Sequence, residues 1–253
     1  MSRLLFGENI YHFARLESTN NKAKELLDSD DIPEGSAVKC DDQYAGKGLA
    51  QNKWESESGK NITISYILKP AFLSPQSQFW ITIAVSLGIK ASVEHLIGNR
   101  SDTYIKWPND IYLGDNKIAG ILIENTIMGN SIIFSVVGIG LNVNQEVFKS
   151  GAPNPTSLVL EGGKKLEIDH CIKILSANLE IWYDKLRNDE YHQLMTNYTK
   201  SLYRLGVKSW YRSSLNDFEG IIEGVDDFGK LKILVPDKGY SYFDFKQIAF
   251  LNR

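Results

Sequence analysis

The chain has 253 residues, 43% of them hydrophobic and 23% charged, and a formal net charge of −3. This balance predicts an ordinary globular protein with one large domain, or a large and a small one, and disfavours a dedicated nucleic-acid binder, which carries a basic excess. Its two cysteines and four histidines lack metal-ligand spacing, so we expect reduced thiols and no zinc site. No signal peptide and no long apolar run are recognisable, so we expect a cytoplasmic protein without a membrane segment.

A Ser-Thr-Asn triplet stands between the first predicted strand and the first predicted helix. Residues 11–16 have a strand pattern, and residues 22–27 have helical character. Ser18, Thr19 or Asn20 can cap this helix, because their side-chain oxygens accept the orphan N–H groups of a first turn. Three hydrogen-bonding side chains in a row also suit a clamp for a small polar head group, so both interpretations stay open at this point.

A glycine-containing loop follows the next predicted strand, residues 36–40. It covers residues 45–54, whose Gly-x-Gly lets backbone amides approach an anion or a flat ligand, and whose two lysines add positive charge. Alone this signal is weak, because most such loops are only turns. The loop lacks the third glycine of a dinucleotide fingerprint and the Gly-Lys-Ser/Thr ending of a P-loop, which disfavours a Rossmann dehydrogenase and a P-loop NTPase.

Residues 61–68 and 77–97 are predicted to build the core. The first segment alternates apolar and polar residues over its first half, which indicates a half-buried strand. In the second segment apolar residues recur near helical spacing, which indicates a helix that covers one face of a sheet. Phe79 and Trp80 are therefore interpreted as core residues rather than as a stacking platform.

The chain is organised around residues 106–110, Lys-Trp-Pro-Asn-Asp. Pro108 removes a backbone donor and restricts the residue before it, so the strand predicted over residues 103–105 should end here. The asparagine and the aspartate that follow should then project from an irregular strand end.

A hairpin follows this motif. Residues 111–113 and 118–123 have strand patterns and are joined by Gly-Asp-Asn, a good hairpin turn. This arrangement places Lys117 at the start of the returning strand, close to Asn109 and Asp110. An amide, a carboxylate and a lysine on one strand edge suit a ligand that carries phosphates and a carboxylate.

The second half of the chain changes character near residue 205. Residues 131–139 form a nearly continuous apolar strand pattern, and residues 168–186 and 191–202 predict two helices, the first strongly amphipathic. From residue 206 five short strand-like runs follow within fewer than fifty residues, separated by turns. Such spacing is typical of a small barrel.

Lys-Trp-Pro-Asn-Asp followed by Lys-x-Ala-Gly-Ile-Leu (residues 117–122) resembles the signature of biotin protein ligases, the enzymes that attach biotin to carrier proteins. The resemblance extends from about residue 10 to the C-terminus. It implies an α+β fold, in which a mixed β-sheet with packed helices resembles the class II aminoacyl-tRNA synthetase core and a small SH3-like β-barrel follows. We expect the catalytic domain to span residues 1–205 and the barrel residues 206–253.

The resemblance also implies a biotin site. In the family a Ser-Thr-Asn holds the ureido ring of biotin, which assigns this role to residues 18–20. The glycine-rich loop resembles the family segment Gly-Arg-Gly-Arg-x-Gly-Arg-x-Trp, with Lys47, Leu49 and Asn52 in place of its arginines. The implied biotin-binding residues are Ser18, Thr19, Asn20, Gln43, Gly46, Lys47, Gly48, Leu49 and Lys117.

ATP with Mg²⁺ is implied as the other ligand. A Gly-x-Gly-x-Asn segment faces the nucleotide in the family, and Asn142 matches its asparagine. The implied ATP-binding residues are Asn52, Trp54, Lys106, Asn109, Asp110 and Asn142. Lys117, Asp110 and Asn109 are the expected catalytic residues. We expect Lys117 to stabilise charge on carboxylate and α-phosphate oxygens, and Asp110 to be a candidate partner for the Mg²⁺ of Mg–ATP.

The expected activity is ATP-dependent biotinylation of a lysine on a biotin carboxyl carrier protein or domain through biotinyl-5′-adenylate. A lipoate–protein ligase would use the same adenylation chemistry on a related core. A non-catalytic biotin-binding sensor is a third interpretation, because the loop has lost its arginines. With the first ligand motif at Ser18, we expect no N-terminal helix-turn-helix domain and no DNA partner, while a homodimer stays open.

Overall fold

The computed structural model describes residues 5–29, 31–48, 53–98, 100–149, 154–214 and 216–251. The larger sheet contains the strands β1 (Ile10–Leu16), β2 (Ala37–Gln43), β3 (Ile62–Leu68), β4 (Thr103–Lys106), β5 (Asp110–Leu113), β6 (Asn116–Met128) and β7 (Ser131–Leu141). Their spatial order is β1-β2-β3-β7-β6-β5-β4, with β1 and β2 parallel and the other neighbours antiparallel. The predicted α+β fold with a mixed sheet is therefore confirmed.

Helices cover both faces of this sheet, and their bounds are α1 (Thr19–Ser29), α2 (Phe79–Leu96), α3 (Leu158–Gly162), α4 (Ile168–Arg187) and α5 (Tyr191–Lys200). The helix α1 forms the crossover between the parallel strands β1 and β2. It buries Ala23 against Val38, Ile67 and Val136 in a small core of its own. The main core lies on the other face, under α2, α4 and α5.

Strand β3 departs from its predicted environment. All seven residues of β3 are buried, so the expectation of a half-buried strand is wrong. Ile64 and Tyr66 face the main core, whereas Thr63 and Ser65 point to the face that α1 covers, because successive side chains alternate between the two faces. The polar residues of β3 predicted a solvent-exposed face, but Thr63 and Ser65 are buried and hydrogen-bonded to other residues on that face.

The segment Pro75–Leu96, a short 3-10 turn followed by α2, is long and apolar enough to cross a membrane by length and composition alone. In the fold 61% of its most apolar window is buried. Phe79, Ile83 and Ile89 are among its core residues, which confirms the interpretation of Phe79 as a core residue. Packing beneath the sheet accounts for its apolar composition.

The second sheet contains β8 (Lys208–Ser213), β9 (Asp217–Val225), β10 (Leu231–Val235), β11 (Gly239–Phe243) and β12 (Ile248–Phe250), in the antiparallel order β11-β10-β9-β8-β12. This architecture is compatible with the predicted SH3-like barrel. Leu202 still bridges to Ile105 of the larger sheet, whereas Leu205 bridges to Ile222 of the second. The chain therefore passes from the larger sheet to the second sheet near residue 205, although the division into domains stays a prediction.

The second sheet docks directly onto the 106–110 motif. The Trp107 indole Nε1 donates a hydrogen bond to the carbonyl oxygen of Gly229, in the turn between β9 and β10, at 2.8 Å. The Phe245 ring, between β11 and β12, lies 5.4 Å from the Trp107 ring. The Phe250 ring of β12 lies 5.3 Å from Lys106 Nζ. These contacts hold β12 beside the end of β4.

Candidate active site

A cleft of about 380 Å³ crosses β7, β6, β5 and β4 on the face of the sheet that carries α1. The described part of the glycine-rich loop borders it on one side and β12 borders it on the other. The predicted site residues that line it are Ser18, Thr19, Asn20, Gln43, Lys47, Gly48, Trp54, Lys106, Asn109, Asp110 and Lys117. The structure thus collects residues from five separate segments in one place.

Ser18 serves as the cap that the sequence suggested. Its Oγ accepts a 3.4 Å hydrogen bond from the backbone N–H of Asn21, and its carbonyl oxygen accepts one from Lys22 at 3.1 Å. These bonds satisfy first-turn N–H groups of α1. Since Ser18 also lines the cleft, capping does not exclude a ligand contact.

Thr19 and Asn20 form a buried polar network with Gln43 and Ser65. The Thr19 backbone N–H and Oγ1 donate to Gln43 Oε1 at 2.8 and 3.1 Å. The Ser65 hydroxyl lies 2.7 Å from Thr19 Oγ1 and 2.6 Å from Asn20 Oδ1. A network whose polar atoms already have partners is rigid, so these groups are fixed in advance for a neutral polar ligand.

Asn20 is oriented further by Glu124 of β6. Its amide Nδ2 donates to Glu124 Oε2 at 2.7 Å, and Lys24 Nζ pairs with the other carboxylate oxygen at 2.5 Å. Burial acts to raise the pKa of Glu124, but the Lys24 ammonium and the Asn20 amide hold that pKa below its ordinary value. Glu124 therefore stays ionised and holds the Asn20 amide in one orientation.

Two glycines of β7 form the floor at this end of the cleft. A Cβ on Gly138 would overlap Asn20 Oδ1, and a Cβ on Gly140 would overlap the Trp54 ring. The ring of Trp54 lies against Gly140 and Gly120, and its Nε1 is buried without a hydrogen-bond partner among the described residues. Small residues are required here because side chains from two other segments lie against the strand backbones.

A bulge in the β5–β6 hairpin places Lys117 in the cleft. Tyr112 pairs with Lys117 whereas Ile111 pairs with Ala119, so Ile118 is the extra residue. Because of this bulge, Lys117 and Gly120 lie on the same face of the sheet although they are three residues apart.

Lys117 Nζ pairs with Asp110 Oδ1 at 2.7 Å and lies 5.6 Å from the centre of the Trp54 ring. Its backbone N–H donates to Asn154 at 2.7 Å, and its carbonyl oxygen accepts from Thr156 at 2.9 Å. The predicted closeness of Lys117 and Asp110 is therefore confirmed. The backbone bonds on both sides of Lys117 hold this pair in the middle of the cleft.

Asn109 joins the 106–110 motif to β6. Its Nδ2 donates to the carbonyl oxygen of Ile121 at 2.5 Å, and its own carbonyl accepts from the Ile121 N–H at 3.1 Å. Behind it, the Tyr198 hydroxyl donates to the carbonyl oxygen of Pro108 at 3.1 Å. Both contacts fix the backbone that presents Asp110.

Lys106 lies at the end of the cleft that borders β12. Its Nζ donates to the Tyr112 hydroxyl at 2.9 Å and lies 4.8 Å from the centre of the same ring. Burial lowers the pKa of Lys106, and the charges of Lys117 and Arg204 lower it further against the opposing effect of Asp110. Lys106 is therefore a partly desolvated cation that an anion would stabilise.

The sequence profile of the biotin/lipoate A/B protein ligase family matches residues 12–144, more than half of the chain. The chain belongs to this family. It is similar to the bifunctional ligase/repressor BirA of Bacillus subtilis (28% identity over 232 residues; 90% of this chain, 70% of that protein). It is also similar to the biotin–[acetyl-CoA-carboxylase] ligase of Paracoccus denitrificans (29% over 233 residues; 88% and 93%).

The fold agrees with that of a solved structure, the biotin protein ligase from Aquifex aeolicus in complex with biotin and ATP. The two chains have 20% identity and a TM-score of 0.80, and the match covers 97% of this chain and 100% of that one. The resemblance to biotin protein ligases is confirmed, and the chain is a ligase of the biotin/lipoate family.

Several predicted ligase residues stand apart from the cleft lining. Gly46 accepts a 2.9 Å backbone hydrogen bond from Trp54 and holds the loop closed. Asn142 is buried, and its Nδ2 donates to the Thr156 carbonyl oxygen at 2.8 Å, while its Oδ1 has no partner within the described part of the chain. Leu49 and Asn52 lie outside the described residues.

The cleft of this ligase contains a cationic residue that the sequence did not reveal. Lys246 lines it, together with Ile248, Ala249 and Phe250 of β12, and Lys53 of the glycine-rich loop lines it as well. Of the described lining residues five are lysines and only Asp110 is a carboxylate, an excess of four positive charges in a chain with a net charge of −3. The described residues contain no cluster of three or more His, Cys, Asp or Glu side chains that could hold a metal ion.

Proposed function

We propose that this chain is an ATP-dependent biotin–protein ligase that joins biotin to a lysine of a biotin carboxyl carrier protein. The observation that carries the proposal is the layout of the cleft. A neutral, prearranged polar network occupies one end, the Lys117–Asp110 pair lies in the middle, and Lys106 and Lys246 lie at the other end. Biotin has the same layout, with a neutral ureido ring at one end and a carboxylate at the other.

In the first step a biotin carboxylate oxygen attacks the α-phosphorus of ATP. A new P–O bond forms, the bond to the bridging oxygen of the β-phosphate breaks, and pyrophosphate leaves with the electron pair. Two anions must approach each other, so the barrier is largely electrostatic. Lys117, held by backbone bonds on both sides, binds the carboxylate and the α-phosphate oxygens, while Asn109 fixes the backbone beside it.

In the second step the lysine amine of the carrier attacks the carbonyl carbon of biotinyl-5′-adenylate. The amide bond forms, AMP leaves with the electron pair of the broken C–O bond, and the amine loses a proton. Water competes for the same carbonyl, so the adenylate has to be shielded. Trp54, lying over Gly140 and Gly120, covers the floor of the cleft where this mixed anhydride forms.

Mg²⁺ enters this scheme with its substrate, as Mg–ATP. Asp110 is the single carboxylate among the described lining residues, and it is already paired with Lys117. One carboxylate fits an ion that keeps several waters and binds through substrate phosphates, which is the usual mode of Mg²⁺. Asp110 therefore serves as at most one protein contact for the bound Mg–ATP.

The relatives support this assignment, since the Paracoccus protein carries the name of a biotin ligase and the Aquifex ligase structure contains biotin and ATP. We place the activity in the cytoplasm, where the buried free thiols Cys40 and Cys171 stay reduced. Homodimer formation and the lack of DNA binding stay predictions, which light scattering and a DNA-binding assay would check.

The experiment that tests the proposal measures pyrophosphate release on adding biotin and Mg–ATP, and then transfer of labelled biotin to an apo carrier domain. We expect release that depends on biotin. Release with lipoate but not with biotin would show a lipoate ligase instead. Tight biotin binding without any release would show a non-catalytic sensor.

We further propose that residues 1–205 form the catalytic domain and residues 206–253 a C-terminal domain needed for its activity. The Trp107–Gly229 hydrogen bond and the cleft-lining residues of β12 support this requirement. A chain ending at residue 205 should keep more of its biotin affinity than of its ATP affinity or carrier transfer. Unchanged biotin affinity, ATP affinity and carrier transfer in this truncated chain would show that the second sheet contributes nothing to the reaction.

A further inference from the structure

Lys246 is a cation of the cleft that comes from outside the larger sheet. It lies between β11 and β12, is exposed, and lines the cleft. It forms no hydrogen bond or ion pair with any described residue, whereas Lys106 and Lys117 are partnered by Tyr112 and Asp110. Lys246 is therefore free to meet an incoming anion.

The backbone holds Lys246 in an uncommon conformation. Its φ is +70°, in the left-handed region that favours glycine and asparagine. The turn around it is closed by two hydrogen bonds, from the Gln247 N–H to the Asp244 carbonyl at 3.1 Å and from the Asp244 N–H to Gln247 Oε1 at 2.8 Å. A lysine is thus kept at a position where glycine would be easier to accommodate.

The neighbours of Lys246 place it at one end of the cleft. Phe245, the preceding residue, packs on Trp107, and Phe250 of the following strand lies 5.3 Å from Lys106 Nζ. In the sheet order, Asn20 lies against β7, Lys117 is on β6 and Lys106 is on β4. We call the network of Thr19, Asn20 and Gln43 the clamp. With strands about 4.8 Å apart, the Lys106 end is roughly 14 Å from the clamp.

The direction of the proposed reaction then assigns a ligand to this end. In displacement at phosphorus the attacking and leaving oxygens lie roughly in line. Biotin held by the clamp brings its carboxylate toward Lys117 from the β7 side. The pyrophosphate must therefore depart toward β4 and β12, where Lys106 and Lys246 lie.

We propose that Lys246 binds the β- and γ-phosphates of ATP and then neutralises the charge that develops on the pyrophosphate leaving group. This inference rests on the proposed function, because it uses the position of the biotin carboxylate. It makes the C-terminal sheet a direct part of the nucleotide site. It also supplies a cation that the glycine-rich loop lacks where leucine and asparagine replace the family arginines.

The test compares the full-length protein with Lys246→Ala, Lys246→Arg and Lys246→Gly. Binding of ATP, a non-hydrolysable ATP analogue, pyrophosphate and AMP is measured by calorimetry with Mg²⁺, and adenylation by pyrophosphate release. We expect Lys246→Ala to weaken ATP and pyrophosphate binding about tenfold, as loss of a charged hydrogen bond does. AMP and biotin affinities should stay within about twofold, and Lys246→Arg should restore ATP binding.

Lys246→Gly separates charge from backbone conformation. Glycine suits a positive φ, so this variant should be at least as stable as the wild type in thermal unfolding, yet bind ATP as weakly as Lys246→Ala. The matched controls are Lys238→Ala, an exposed lysine in the β10–β11 turn, and Asp237→Gly, another residue with positive φ (62°). Both controls should leave ATP binding unchanged.

Equal weakening of AMP and ATP would overturn the proposal, since it would place the contact at the adenylate. Unchanged ATP and pyrophosphate binding in all three Lys246 variants would overturn it as well. If the wild type bound ATP but released no pyrophosphate with biotin, the proposed function would fail. The comparison of ATP with AMP would still decide whether Lys246 contacts the terminal phosphates.

Discussion

At the clamp end of the cleft the side chains of Thr19, Asn20 and Gln43 are hydrogen-bonded to one another or to neighbouring strands. At the opposite end the lysines are exposed or only partly desolvated, and Lys246 has no partner among the described residues. A neutral ligand gains most from groups whose positions are fixed in advance, because each hydrogen bond to water must be replaced by one of good geometry. A polyanion gains from summed charge, which tolerates looser geometry. The two ends should therefore respond differently to the same kind of change.

The largest effect should come from Lys117→Ala, which removes the charge between the two ends. We expect the single-turnover rate of adenylation to fall by about 10²–10³-fold, as loss of a positioned group that stabilises transition-state charge does. Biotin affinity should fall far less, by about tenfold, because Lys117→Ala removes one charged contact to the biotin carboxylate and leaves the clamp untouched. Rapid-quench detection of biotinyl-5′-adenylate checks this, with Lys238→Ala as the control. A rate equal to that of the wild type would remove Lys117 from its role.

Gly138→Ala should damage the clamp end alone. The new Cβ would overlap Asn20 Oδ1 and displace the amide from Ser65 and Glu124. Overpacking of this kind costs about 1–3 kcal/mol, which corresponds to roughly a 5- to 150-fold loss of biotin affinity. ATP affinity should be nearly unchanged. Gly162→Ala, where a Cβ would meet only open space, is the control for calorimetric titration.

Equal losses of biotin and ATP affinity in Gly138→Ala would show that the two ends are not independent. That result would contradict the proposed difference between the clamp end and the cationic end of the cleft. It would mean that the floor of β7 supports the whole cleft, and not only the clamp.

The fold was predictable wherever local patterns decide it. The strands from β1 to β7 and the helices α2 and α4 follow from periodicity and turn residues, and each begins within two residues of its predicted start, although β6 continues five residues past its predicted end at residue 123. The burial of β3 was not predictable, because it depends on α1 covering the second face. The β5–β6 bulge was not predictable either, because it depends on the register in which the two strands pair.

The site was predictable where its residues are close in sequence. Lys117 and Asp110 belong to one hairpin, so turn chemistry alone brings them together. Ser65, Glu124 and Lys246 enter through sheet order and through docking of the second sheet. A lysine in a turn carries no local signal that separates a solvated charge from a phosphate ligand, so Lys246 could not be found from the sequence.

A smaller effect should appear as a pH dependence at the cationic end. Burial lowers the pKa of Lys106, so this lysine loses its charge at a lower pH than an ordinary solvated lysine does. ATP affinity should therefore fall as the pH rises through that lowered pKa, by about three- to tenfold. Lys106→Arg should abolish the fall, because a guanidinium stays protonated. Biotin affinity, measured over the same pH range, should stay constant. A fall in biotin affinity parallel to that of ATP would show that the two ends of the cleft do not act independently.

The smallest effect should come from the Lys24–Glu124 pair behind the clamp. Its side chains are 43% and 33% exposed, and such pairs contribute at most about 1 kcal/mol. The Lys24 ammonium helps to hold the pKa of Glu124 below its ordinary value, so the carboxylate that orients Asn20 persists well into the acid range. Biotin affinity should therefore stay constant as the pH falls, until Glu124 takes up a proton at its lowered pKa.

Removing the ammonium with Lys24→Met should raise the pKa of Glu124, since a favourable charge is lost while burial remains. The loss of biotin affinity should then begin at a higher pH than in the wild type, with at most a fivefold change near neutrality, roughly what an exposed ion pair can contribute. Lys22→Met is the control, because Lys22 lies on the same helix but pairs with Glu25. Titration of biotin binding from neutral to acid pH measures the onset. An onset that does not move in Lys24→Met would mean that the Asn20 amide keeps its orientation without the Glu124 charge.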